Sequence, residues 1–257
     1  MFRRRILVSS RDDVIGQIVR AALEDDFHHF CTEVRAIDGR IQAINGRAPR
    51  QPYTLCAQAI PQLNALLGAE LSPVAHEVTR LTDAKQQCTH LLELTGLAMA
   101  AAARHIVWRQ YDIEVPLRTR GVTHPRLWRD GVLVLAWRVN GMVIESPTIY
   151  AGMELNQGLA RWALSTLPQE EAEAALLLRR ATVISLGREK NLDAQLHALP
   201  DGHCFSQQPQ RAPLALRVVG STWDFAARPK ALCADDLSWL AFGDPDPIIG
   251  ATASPIP

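Results

Sequence analysis

Three of the five cysteines, Cys31, Cys56 and Cys88, fall within the first 90 residues, each where an element begins or a strand alternates. Cys31-Thr32-Glu33 reads as alternating strand, which puts Cys31 and Glu33 on one face. Cys56 follows a loop and opens one expected helix, and Cys88 opens the next. Thiolates at helix N-termini feel the positive end of the macrodipole and lose their protons more readily. Together Cys31, Glu33, Cys56 and Cys88 offer four donors of the kind that tetrahedral zinc or an iron–sulfur cluster takes. The competing reading is that these thiols are small apolar fillers, since free cysteine is among the most buried residue types. The chain has no CxxC pair to decide between the two.

His90 lies two residues beyond Cys88, roughly 200° round a helix from it, and is expected to cap or pack rather than ligate. His28 and His29 alternate faces, so one of them could be a ligand or base, but the acidic stretch around them reads rather as a solvated entry to the strand. Arg47 and Arg50 flank the loop before Cys56. Guanidinium forks suit carboxylate or phosphate, and the helix N-terminus beyond adds anion preference. The alternative to a metal protein is therefore a cytoplasmic enzyme with a pocket near Cys56. There Cys56 and Arg47 would be the catalytic candidates acting on a small anionic or aromatic compound. Cys56 and Cys88 are expected to be the reactive thiols. Cys204, in the polar stretch 203–211, and Cys233, between Leu232 and Ala234, are expected to be the quieter ones.

Charge excludes some partners. With 27 basic and 27 acidic residues the net charge is zero, so no nucleic-acid footprint is indicated, and Arg3-Arg4-Arg5 reads as a solvated strand edge. There is no apolar leader and no run of 18 apolar residues, so no membrane partner is expected. An odd cysteine count without a leader suggests free thiols in the cytoplasm. The dinucleotide, P-loop, nucleophile-elbow and HExxH motifs are all missing, which lowers dehydrogenase, kinase and hydrolase readings.

The elements that must position these residues read as α+β. A strand is expected over 4–9, a short amphipathic helix or ordered connection over 12–24, and a hairpin over 29–35 and 40–44 about an Asp38-Gly39 turn. A basic loop over 46–52, a helix over 56–67 and a long helix over 83–108 follow. The order then recurs: strand 111–118, hairpin 132–139 and 142–145 about Asn140-Gly141, helix 154–167 and helix 169–185. Two similar halves are expected, each an antiparallel sheet with helices on one face: a cysteine-bearing domain over 1–108 and a degenerate copy over 109–190. Such a chain would be a pseudo-dimer in itself. Residues 191–242 would wrap across both, with strands in 203–225 and a helical turn over 235–242, leaving 243–257 as a disordered tail.

Two resemblances rest on particular segments. The run from Pro52 to Cys56, QCTHLLELTGLAMAAAAR, WRDGVLVLAWRVNG, LRRATVISLGR and CFSQQPQRAPLALRVVGSTWDF are similar to an uncharacterised bacterial family known only as a domain of unknown function, over nearly the whole chain. Residues 27–105 resemble the U-type scaffold for iron–sulfur assembly: Cys31-Thr32-Glu33 stands where that family has Cys-Gly-Asp, and Cys56 and Cys88 each lead into a helix. That resemblance implies a scaffold-like fold and Cys31, Cys56 and Cys88 as ligands of zinc or a labile cluster.

Overall fold

Strand-forming sequence runs almost unbroken through the first fifty residues, and four strands result: β1 (Phe2–Asp13), β2 (Gly16–Asp25), β3 (His29–Ile37) and β4 (Arg40–Arg50). The computed structural model describes residues 1–243. The short helix or ordered connection expected over 12–24 is instead part of a hairpin, with β1 and β2 paired antiparallel from Arg4↔Asp25 to Asp13↔Gly16. The reason is burial on both faces: Ile18 to Asp25 are all buried, so the stretch lacks the alternation that marks a half-exposed strand. Gly16 makes the crossing possible, because a Cβ there would sit 2.1 Å from the Ala36 carbonyl oxygen. The Asp38-Gly39 turn forms as expected, both residues having positive φ (49° and 73°) as a type I′ hairpin requires. Strand β4 runs on to Arg50, through what reads as a loop.

The expected helix over 56–67 is a 3-10 helix, Cys56–Leu66, with Pro61 inside it withholding one amide donor. Two shorter 3-10 turns, Ala75–Arg80 and Ala84–Gln86, precede α1 (Thr89–Ala103), which is shorter at both ends than the pattern suggests. Gly96 lets α1 touch the 75–80 turn backbone to backbone, since a Cβ there would meet the Ala75 oxygen at 2.2 Å.

The rest of the chain adds β5 (Trp108–Val115), β6 (Val122–Thr123), β7 (Arg126–Arg129), β8 (Val132–Ala136), β9 (Arg138–Asn140), β10 (Val143–Ser146), α2 (Leu159–Thr166), α3 (Gln169–Ile184) and α4 (Leu237–Leu240). One seven-stranded antiparallel sheet, ordered β4-β3-β2-β1-β5-β7-β8, takes strands from both ends of this list, and β10-β9-β6 form a small second sheet. The fold is α+β, as expected, but the halves do not own separate sheets. The strand expected over 132–139 breaks at Trp137, so the hairpin about Asn140-Gly141 lies in the small sheet while that about Asp38-Gly39 lies in the large one.

Helix α1 packs on β1, β2 and β3, and α3 on β5, β7 and β8, in one main core. On the other face Leu7, Ala22 and Cys31 pack against Cys233, Trp239 and Leu240 from the C-terminal turns and α4. Residues 203–225 contribute 3-10 turns and isolated bridges rather than strands. The arginine triplet is no solvated edge: β1 lies mid-sheet between β2 and β5, and the Arg4 side chain is fully buried. Among the described residues no helix is long and apolar enough to cross a membrane. The tail expected over 243–257 lies, apart from Gly243, outside the described residues.

Candidate metal centre

Alternation along β3 puts His29, Cys31 and Glu33 on the face that the C-terminal segment covers. Asp236, from the turn Ala234–Asp236, comes down onto them. Its Oδ2 lies 2.6 Å from His29 Nε2, and its Oδ1 accepts the Cys31 thiol proton at 3.3 Å. The three donor atoms lie within 4.8 Å of one another, and all three residues are buried. The far side of the imidazole, Nδ1, faces Glu24 Oε1 at 3.7 Å. Glu24 is itself fixed, accepting from Arg50 Nη2 at 3.2 Å and from the Cys233 amide at 2.8 Å. Arg47, the direct cross-strand neighbour of Cys31, reaches Asp236 Oδ1 at 3.6 Å and keeps a half-exposed guanidinium stacked on Trp239. Burial, then the Asp236 charge, push the Cys31 thiol well above its ordinary value, against a smaller opposing pull from Arg47.

The structure does not bring Cys31, Glu33, Cys56 and Cys88 together. Glu33 shares the face of Cys31 but is committed to Arg20 Nε at 2.7 Å and Arg35 Nε at 3.2 Å. Cys56 and Cys88 belong to the main core on the helical side of the sheet, apart from Cys31 and Cys233. Arg47 is likewise separated from Cys56, so the two catalytic candidates do not face a common pocket. Cys56 instead meets Ser206, whose hydroxyl lies 3.4 Å from its sulfur, and Cys56, Cys88 and Cys204 are close enough to act on one another electrostatically.

The two helix-opening thiols are where expected, but burial outweighs the helix. Burial pushes Cys56 up to about 11 against the help of Ser206, and Cys88 up to about 12 against the amides of Leu91 and His90. Cys204 is also raised by burial, yet it is the one described cysteine that is not buried. Iodoacetamide applied to the folded protein should therefore modify Cys204 first, read by peptide mass spectrometry. Earlier modification of Cys56 or Cys88 would show that burial does not control access to these thiols.

A second group, Asp25, His28 and His90, gathers on the helical face at the β2–β3 end. Asp25 Oδ1 accepts the amides of Phe27 and His28, both at 2.8 Å, and His28 Nδ1 lies 3.0 Å away. Arg4 donates through Nε to Asp25 Oδ2 at 2.9 Å, and its Nη2 lies 3.2 Å from His90 Nε2. Burial would raise the Asp25 carboxyl, but His28 and Arg4 outweigh it and hold it well below the carboxylate range. Burial, then His28 and Arg4, drive His90 the same way, so it stays neutral. The arginine already supplies the positive charge that a metal ion would bring, which makes this group a buried ion-pair network.

The residue that sequence reasoning passes over is Asp236; His29 is weighed with His28 as a ligand or base but set aside for a solvated strand entry. The signal for His29 was the same period of two that found Glu33, applied in the other direction along β3. Asp236 lies 205 positions from Cys31 and left no local signal.

Residues 10–104 match the family described as protein of unknown function (DUF2889). The matched stretch holds His28, His29, Cys31, Cys56, Cys88 and His90, but not Arg4 or Asp236, and so is shorter than the near-complete resemblance expected. A search of curated proteins finds no match.

Proposed function

We propose that the chain is a metal-binding protein whose ion, zinc, is held by His29, Cys31 and Asp236. The convergence of three buried donors from β3 and the C-terminal turn carries the reading. One thiolate, one imidazole and one carboxylate form a borderline set that suits zinc, whereas iron–sulfur clusters are held mainly by thiolates. The placement of Glu24 behind the imidazole supports it, because ligating histidines commonly turn their other nitrogen toward a carboxylate. Zinc would replace the Cys31 thiol proton that now faces Asp236, so its affinity rises with pH. Cys233 directs its sulfur to the Arg5 carbonyl at 3.8 Å rather than joining the three donors, and the Arg47 guanidinium beside Asp236 would favour a small anionic ligand on the ion.

Zinc content after dialysis, measured by mass spectrometry of the metal, tests this. One zinc per chain is expected, lost in Cys31→Ser, His29→Ala and Asp236→Asn and kept in Cys56→Ser and Cys88→Ser. Glu24→Gln should weaken binding about 10–100-fold, the usual cost of losing an outer-shell partner. Zinc that survives Cys31→Ser, in protein that unfolds at the wild-type urea midpoint, would sink the proposal.

We also infer that the chain is a degenerate duplication. β1 and β5 pair antiparallel mid-sheet, strands meander outward from each, and one long helix per half covers the same face. On that reading the equivalent turns are those after β2 and β7, not the Asp38-Gly39 and Asn140-Gly141 hairpins.

A further inference from the structure

Cys204, the one described cysteine that is not buried, lies beside a second thiol that is. The Phe205 amide donates to the Gln87 carbonyl at 2.9 Å, so one hydrogen bond joins peptide units 204–205 and 87–88. Cys204 and Cys88 flank that bond. In a planar trans peptide, the Cα before an N–H and the Cα after a C=O both sit on the hydrogen-bonding side. That holds these two Cα atoms within about 7 Å of each other, however the two units are twisted. Both backbones are extended here, with φ −71° and ψ 120° at Cys88 and φ −151° and ψ 177° at Cys204. The pattern is one half of a non-hydrogen-bonded antiparallel pair, whose Cα atoms stand about 4.5 Å apart. Disulfides span Cα separations of about 4.4–6.8 Å, so the backbone already meets the first requirement for a bridge.

The other thiols are placed differently. Cys31 and Cys233 lie across the sheet, and Cys56 meets the turn Phe205–Gln207 through the Ser206 hydroxyl, 3.4 Å from its sulfur. We propose that Cys204 and Cys88 form a peroxide-sensitive pair: a small hydroperoxide oxidises Cys204, and the enclosed Cys88 resolves it into a disulfide. With hydrogen peroxide, the Cys204 sulfur attacks one oxygen, the O–O bond breaks, and sulfenic acid and water form. The Cys88 sulfur then attacks the Cys204 sulfur, the S–O bond breaks, and a second water leaves as the S–S bond forms. The two thiols give up two electrons and two protons, and the peroxide is reduced to two waters. Burial keeps the Cys204 thiol protonated against the pull of the Gln207 and Ser206 amides, so the first step quickens as pH rises. The bridge would close a loop of over one hundred residues and tie the C-terminal segment to the start of α1. Cross-links that close long loops restrict the unfolded chain most.

Hydrogen peroxide applied to the reduced full chain at mildly alkaline pH tests this, followed by denaturation, alkylation and digestion without reductant. Peptide mass spectrometry should find one cross-linked pair holding Cys88 and Cys204, lighter than the two separate peptides by two hydrogens. Cys88→Ser should abolish the cross-link and leave Cys204 as a sulfenic acid that dimedone traps. Cys204→Ser should leave Cys88 reduced, and Cys56→Ser should keep the cross-link. Oxidised wild-type protein should unfold at a higher urea concentration than reduced protein, a shift that Cys204→Ser removes. A bridge from Cys204 to Cys56, a bridge between two chains, sulfinic acid at Cys204 with Cys88 still reduced, or no oxidation of Cys204 would overturn the inference. Mapping the wild-type bridge needs no variant, so the test stands even if Cys88→Ser does not fold. None of these readouts involves zinc, so failure here is distinguishable from failure of the metal proposal.

Discussion

Arg4→Met should cost about 3–5 kcal/mol of unfolding free energy, the usual penalty for stripping one partner from a buried ion pair. The arginine is fully enclosed, donates to Asp25, and stands between Glu93 and His90. Methionine fills much of the same volume, so the loss comes from charge rather than from a cavity. Asp25 would remain buried with only His28 and two amides to compensate it. Urea unfolding measures the effect. The double variant Arg4→Met with Asp25→Asn should be less damaged than the sum of the single variants, because the orphaned charge is gone. Simple additivity would mean that the two residues do not act as a pair.

Asp26 should make the protein lose stability as pH rises from about 4 to about 7. Its side chain is buried, neither carboxylate oxygen makes a hydrogen bond, and among the described residues Arg188 Nε at 3.3 Å is the cation that pairs with it. Burial raises its pKa to about 7 despite Arg188, with Asp25 and Asp224 adding to the rise. In the unfolded chain the same carboxyl ionises near 3.8. Below that value both states are protonated and the residue has no pH effect. Above it the native state holds the extra proton, so stability falls by up to about 1.4 kcal/mol per pH unit and levels off past the folded pKa. Asp26→Asn removes this term while keeping the carbonyl that accepts the Trp223 amide at 2.7 Å. Unfolding midpoints of the two proteins should nearly coincide at pH 4 and separate progressively toward pH 8, the variant being the more stable. A gap that does not change with pH would place the proton elsewhere.

Much of the scaffold was legible because local chemistry decided it. Asp38-Gly39 demanded a hairpin, the pattern after Pro168 gave α3 to within a residue of its end, and the last helical turn became α4. Strand β2 was misread because α1 covers one of its faces and the C-terminal segment the other, which erases the alternation a strand is recognised by. The site divided in the same way. Cys31 was found from its own strand, whereas its carboxylate partner arrives from the far end of the chain. At Cys56 and Cys88 the position in sequence was read correctly, but the enclosure that sets thiol acidity is a property of the packed core.

The pairing of β1 with β5 has a consequence for biogenesis. During vectorial synthesis β2, β3 and β4 can join β1 as they emerge, but the other edge of β1 waits for β5, an interval of order ten seconds at ordinary translation rates. An open edge invites pairing with another nascent chain unless something charged interrupts it. Arg3 and Arg5 interrupt this one, and the carboxylates they later meet, Glu114 and Asp112, travel on β5 itself. The same arginines thus guard the edge while it is bare and help to recognise the strand that closes it.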